Sequence, residues 1–247
     1  MTLAAAGLRV LVPDLRGHGR SGPRAHEGGE WSFDAMVDDM GHVVDLSREL
    51  DSRTPLAFVG HSLAALVGLA WLGQRPTEPV IAQACLGSDV WNLGQEPQRL
   101  RRWTKGALLA ATTAITERYQ RLPVRSFGVG SNDESIAYWR QLVSWARSGR
   151  WRSADGQIDY DAGLRRITCP TLHIVSAGDR LYGHAASALR FSAPLCQREV
   201  WHIGHASAPA TLQELRPGHM AMVTDPQSAP LWRALARWLC ERFAAAS

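Results

Sequence analysis

Short apolar runs that alternate with helix-patterned segments constrain this chain more than any other feature. The runs are Leu8-Arg-Val-Leu-Val-Pro-Asp14, Leu56-Ala-Phe-Val-Gly60, Val80 to Leu86, Thr171-Leu-His-Ile-Val175 and Arg198-Glu-Val-Trp-His-Ile203. They are short and closed by turn-forming residues, which predicts buried strands. Between them the apolar residues fall at helical spacing. Phe33, Met36, Val37, Met40, Val43 and Val44 mark one helix, with Ser32 or Asp34 as its N-cap. Leu63 to Leu72, Ala185 to Phe191 and Pro230 to Phe243 mark others, the last with Leu231, Leu235, Trp238, Leu239 and Phe243 on its apolar face. Strands in alternation with helices predict the α/β class, a mostly parallel sheet flanked by helices on both faces.

With 247 residues, 45% of them hydrophobic, the chain suits one domain with an insertion. The alternation lapses between residues 90 and 166. The expected organisation is therefore 1–89 and 167–247 as two parts of an α/β core, with 90–166 as a helical cap. Turn signals fall at Gly128 to Ser131. The inserted stretch holds five of the ten tryptophans, Trp91, Trp103, Trp139, Trp145 and Trp151. Its thirteen basic and seven acidic side chains leave +6, against +4 for the whole chain. Two readings of this composition stand: an apolar pocket with an arginine-rich rim, or tryptophans that pack the helices while the arginines are solvated.

Other classes are disfavoured. No apolar run approaches the ~20 residues of a membrane span. The N-terminus lacks the basic start of a signal peptide, so a cytoplasmic location is expected. Of the 27 basic residues only Lys105 is a lysine, and no basic run reaches five residues. Nucleic acid is thus not an expected partner. Cys85, Cys169, Cys196 and Cys240 are widely spaced. They predict reduced, mostly buried thiols, with no metal, no cofactor and no disulfide framework. Oligomeric state is not legible.

The segment Phe58-Val-Gly-His-Ser-Leu-Ala64 joins a predicted strand to a small-residue helix. This is the context of a nucleophile elbow, in which a sharp turn pushes a serine hydroxyl out beyond the end of the sheet. Small residues two positions either side of that serine let strand and helix approach. Gly60 meets the requirement before Ser62; Ala64 departs from it by one methyl. The alternative is a surface serine in an ordinary turn.

At these residues the chain resembles the α/β-hydrolase superfamily, over nearly its whole length. Pro13-Asp-Leu-Arg-Gly-His-Gly-Arg-Ser21 is similar to the loop after that family's fourth strand, and Gly60 to Ala64 to the elbow after its fifth. Pro170 to Asp179 looks like the seventh strand with its acid, and Pro217-Gly-His-Met-Ala-Met222 like the histidine loop. The order Ser, Asp, His is the family's order. The resemblance implies a serine hydrolase with an acyl-enzyme, acting on a small-molecule ester or related acyl compound. It also implies that the family's first three strands are absent. Met1 is then an internal methionine, or the short chain is a damaged or repurposed hydrolase used for binding.

A serine hydroxyl needs a base, and the base an orienting acid. Asp179 follows a predicted strand and a glycine; Asp89, after the preceding strand, is its rival. His219, after Pro217-Gly218 and before the closing helix, is the favoured base; His205, after Ile203-Gly204, is the alternative. His18 reads as a turn residue, and His173 and His202 as core histidines. His61 is expected to line the pocket. The Leu63 N–H is an expected oxyanion donor, and the family's second donor comes from a loop after the third strand. Acyl transfer to an acceptor other than water is equally compatible with these residues.

Overall fold

The computed structural model describes residues 2–127 and 132–246, so the turn signals at Gly128 to Ser131 lie outside the described residues. In chain order its elements are α1 (Thr2–Ala5), α2 (Phe33–Leu50), β1 (Leu56–His61), α3 (Leu63–Gln74), β2 (Val80–Leu86), α4 (Arg99–Tyr119), β3 (Arg121–Leu122), β4 (Glu134–Ser135), α5 (Ile136–Ser148), α6 (Tyr160–Leu164), β5 (Thr171–Ser176), α7 (Ala185–Phe191), β6 (Arg198–Ile203), α8 (Ala221–Thr224) and α9 (Ala229–Ala246). They form two compact units. One comprises Met1–Val12, Val44–Asp89 and Ala162–Ser247, and the other Pro13–Val43 and Val90–Asp161. The segment Pro13–Val43 thus belongs with the inserted stretch, a grouping that linear composition does not reveal.

The first unit holds a parallel sheet of four strands in the order β1-β2-β5-β6. Alternate residues of β2 face opposite sides. Ala82, Ala84 and Leu86 join Leu172, Ile174, Trp201 and Ile203 in a core closed by Leu231, Leu235, Trp238 and Leu239 of α9. Phe243 packs at its margin. On the other side Gln83 donates to the Ala65 carbonyl of α3 (3.2 Å), and the ring of His173 approaches Phe191 of α7. Helix α3 is buried from Ala65 to Gly73, as an apolar helix between strands must be.

Leu8 to Asp14 does not form the expected buried strand. The segment has no ladder partner among the described residues, and β1 pairs only with β2. An apolar run becomes a strand only where a neighbour takes its backbone hydrogen bonds. Leu8 still packs against the core, but Leu11 is 42% exposed and Val12 74%. The cysteines are unpaired, but only Cys85 is buried; Cys169 and Cys240 are half-buried and Cys196 is exposed. Cys196 lies in the turn between α7 and β6, which faces solvent.

The second unit is built around Phe33, which is fully buried against the edge of Trp145 (ring centroids 4.9 Å apart) and near Trp151 and Tyr160. Of the two cap candidates, Ser32 caps α2, accepting from the Ala35 N–H. Asp34 instead gathers Gln141, Tyr160 and the Ala154 N–H. The packing reading of the tryptophans holds in part. Trp145 and Trp151 are packing residues, whereas Trp103 is 71% exposed. Nor are all the cations solvated: Glu96, Arg101 and Lys105 form a buried ion cluster, with Lys105 over the Trp91 ring.

These burials predict opposite outcomes for two apolar truncations. Leu235→Ala removes a fully buried side chain and is expected to cost about 2–5 kcal/mol. Val12→Ala should change stability by no more than ~0.5 kcal/mol. Urea unfolding midpoints at constant slope test both; a large loss for Val12→Ala would mean that this segment is packed after all.

Candidate active site

Ser62 occupies a one-residue turn between β1 and α3. Its φ of 53° and ψ of −119° lie where side chains other than glycine rarely go. Two hydrogen bonds hold the turn: the Ser62 N–H donates to the Leu86 carbonyl (2.9 Å), and its carbonyl accepts from the Ala65 N–H (3.1 Å). Gly60 makes the approach possible, because a Cβ there would lie 2.4 Å from the Ala65 nitrogen. Ala64 is accommodated on the helix side, half-buried. Leu63 is the first residue of α3, where an N–H has no intrahelical acceptor.

Asp179 follows β5 and is buried, and its Oδ2 lies 2.6 Å from His219 Nδ1. The Tyr182 N–H donates to Oδ1 (3.1 Å) and the Gly183 N–H to Oδ2 (2.9 Å). The histidine loop is fixed from the same strand: Ser176 Oγ donates to the Pro217 carbonyl (2.7 Å). Gly178 is pressed so closely on the Arg216 carbonyl that a Cβ would come within 2.2 Å of it. Gly87, next to Leu86 at the end of β2, sits against the His219 ring: a Cβ there would lie 2.6 Å from Met222 Cε and 3.3 Å from His219 Nδ1. Ser62 and His219 therefore both stand at the carboxyl end of β2, in one unit.

The other expected residues are placed as follows. His205 Nδ1 meets Ser207 Oγ (2.9 Å) and its ring stacks on His202, on an exposed corner. Asp89 is half-buried beyond β2, and the carboxylate on His219 is that of Asp179. His61 packs against the His219 ring (centroids 4.6 Å apart), and its Nε2 meets the His219 carbonyl (3.0 Å). His202 is half-buried rather than a core residue, because its strand, β6, is at the sheet edge. His18 does more than shape a turn: its ring nitrogens meet the Arg16 carbonyl and Glu134 Oε1. Gly87, Gly183 and Ser176 also support the site; Ser176 ends β5 and Gly87 directly follows β2, which is a local signal, whereas Gly183 lies in the loop before α7 and carries none. Among the described residues no cluster of three or more His, Cys, Asp or Glu is arranged to hold a metal ion, and no helix is long and apolar enough to cross a membrane.

Comparison with known proteins gives the family. The sequence profile described as "Alpha/beta hydrolase family" matches residues 1–229. Among curated proteins nothing matches the sequence. The fold is similar to that of a monoacylglycerol lipase from Paleococcus ferrophilus, at 16% identity, TM-score 0.59, and 97% of this chain against 86% of that one. It is also similar to an esterase from Exiguobacterium antarcticum, at 15% identity, TM-score 0.57, and 91% against 79%. A third similar structure is reported with LipS and LipT, two metagenome-derived lipolytic enzymes, at 19% identity, TM-score 0.59, and 95% against 83%.

The protonation states around Asp179 follow from burial and neighbours. Burial opposes the charge on Asp179, but the His219 hydrogen bond and the N–H groups of Gly183 and Leu181 outweigh it and hold the carboxyl below its ordinary value. His61 is pushed down to about 4, first by burial and then by the charge of His219. His173, fully buried in β5 with Nε2 on the Ser88 carbonyl, is also pushed down to about 4, chiefly by burial. Below pH 6.5 the unfolded chain takes up protons that these folded histidines refuse. Acid thus favours unfolding, and stability should fall as pH drops from about 6.5 to about 4, by roughly 3 kcal/mol for His173 alone. Urea unfolding across this range should show a shallower dependence in His173→Phe; an unchanged slope would contradict the assignment.

Proposed function

This chain belongs to the alpha/beta hydrolase family, and from that premise we propose that it is a serine hydrolase of an ester or related acyl compound. In this reading Ser62 is the nucleophile, His219 the base and Asp179 the acid that orients it. The observation that carries the proposal is the 2.6 Å hydrogen bond from His219 Nδ1 to Asp179, in the unit that holds the Ser62 elbow.

The chemistry follows from the assigned atoms. With Nδ1–H given to the carboxylate, Nε2 carries the lone pair. Ser62 Oγ attacks the acyl carbon as its proton passes to Nε2. The developing oxyanion meets the Leu63 N–H at the positive end of α3. As the tetrahedral intermediate collapses, the leaving group takes the proton from Nε2 and departs as the alcohol, leaving an acyl-serine. A water molecule, deprotonated by the same nitrogen, attacks the acyl-serine and frees the acid and Ser62. An alcohol or amine in place of water would give acyl transfer. His61 donates from Nε2 to the His219 carbonyl, which holds the base against the elbow. The esterase and lipase neighbours are consistent with an ester substrate, and their likeness is one of fold.

A fluorophosphonate probe tests the reading directly. The folded protein should be labelled, and Ser62→Ala should abolish labelling. On an activated ester, Ser62→Ala and His219→Ala should each lower kcat by about 10,000-fold or more, and Asp179→Asn by a similar factor. A well-folded chain that resists labelling and turns over no ester would instead be a binding protein on this fold.

A further inference from the structure

Helix α4 carries an apolar face that its own unit leaves open. The inner side is accounted for: Leu109 packs against Val143 and Ala146 of α5, with Trp91, Leu93 and Trp139 around them. Arg101 and Lys105 also point inward and are paired with buried Glu96, at 2.7 and 3.3 Å. The outer side starts with Leu100 and Trp103, one turn apart and 76% and 71% exposed. Exposed Ala107, Ala110 and Ala114 continue the same face. A tryptophan and a leucine held in water at adjacent positions forgo most of their burial free energy.

The charge beside this face is of one sign. Exposed Arg99 and Arg102 flank Leu100 and Trp103; Arg102 donates to the Glu96 carbonyl and keeps its charge. The first turn of α4 contains no acid; of its arginines Arg101 is paired with Glu96, while Arg99 and Arg102 add outward-facing charge at the positive end of the helix. The one acidic residue of α4, Glu117, lies near the far end and is held by Arg140 at 2.8 and 2.7 Å. A second copy of the chain would set like charge against like charge here. A layer with anionic headgroups above an apolar interior satisfies both features together.

We propose that the first turns of α4 dock on an anionic lipid surface. Leu100 and Trp103 enter the boundary between headgroups and acyl chains, and Arg99 and Arg102 meet lipid phosphates. The docking is a binding event that requires no turnover, so it stands or falls apart from the hydrolase reading.

Cosedimentation of the full chain with vesicles tests it. Vesicles of equal parts phosphatidylcholine and phosphatidylglycerol should retain the protein, phosphatidylcholine alone should retain much less, and added salt should release it. Joint replacement Leu100→Gln and Trp103→Gln should weaken retention by about tenfold or more, with unfolding midpoint and fluorophosphonate labelling unchanged. Arg99→Gln, which leaves the apolar pair intact, should weaken retention on the anionic vesicles only. No retention on anionic vesicles would overturn the proposal, as would retention indifferent to these replacements. So would a dimer, seen by light scattering, that the joint replacement dissolves, since α4 would then be a contact between copies.

Discussion

The carboxyl end of β2 is the point on which the candidate site depends. The Leu86 carbonyl accepts from the Ser62 N–H, and the next N–H, that of Gly87, donates to Ile174 of β5. Gly87 also underlies His219, and its carbonyl is so close to Gly183 that a side chain there would collide with it. One strand end therefore fixes the elbow, the acid loop and the histidine loop. Parallel strands make this convergence possible, because all their carboxyl ends lie on one side of the sheet. The glycines are a condition of it: Gly60, Gly178 and Gly183 let two backbones approach to a distance that a Cβ would forbid, and Gly87 leaves space for the side chains of Met222 and His219.

Legibility in the sequence followed the range of the interactions. Val80–Leu86 and Arg198–Ile203 are strands at the expected bounds, and Ala185–Phe191 is the expected helix. Periodicity and flanking turns determine such elements locally. The elbow at Ser62 was legible for the same reason, because its requirement for Gly60 is met within five residues. Leu8 to Asp14 carries the same local signal, yet it has no ladder partner, and a ladder is not a local property. The choice between His205 and His219 was likewise open in the sequence, since both follow a glycine after β5; only the tertiary placement puts His219 on Asp179.

The second unit shows why composition misleads. Thirteen cations and five tryptophans over residues 90–166 look like one kind of surface, but they divide by position on their helices. Arg101 and Lys105 go inward to Glu96 while Arg99 and Arg102 go outward. Trp145 is core and Trp103 is surface. The ion cluster survives burial because two cations share one carboxylate, and their attraction holds Glu96 near 2, well below its ordinary value, against the opposing effect of burial. Asp34 could not be read from its neighbours at all: its partners Gln141, Ala154 and Tyr160 lie more than a hundred residues away in the chain.

Two imidazoles stand ring to ring at the candidate site, in different surroundings. The centroids of His61 and His219 are 4.6 Å apart, so a proton on one opposes a proton on the other. Asp179 breaks the symmetry: its carboxylate touches Nδ1 of His219, while His61 is offered only a backbone carbonyl. Burial and the neighbouring charge then keep His61 neutral down to about pH 4, and a neutral ring can still donate its one N–H to that carbonyl. The proton taken from Ser62 in the proposed reaction thus has one favourable destination. In that proposal a histidine beside Ser62 serves the arrangement by refusing charge, so the burial of His61 matters to the candidate site as much as the placement of the half-buried serine.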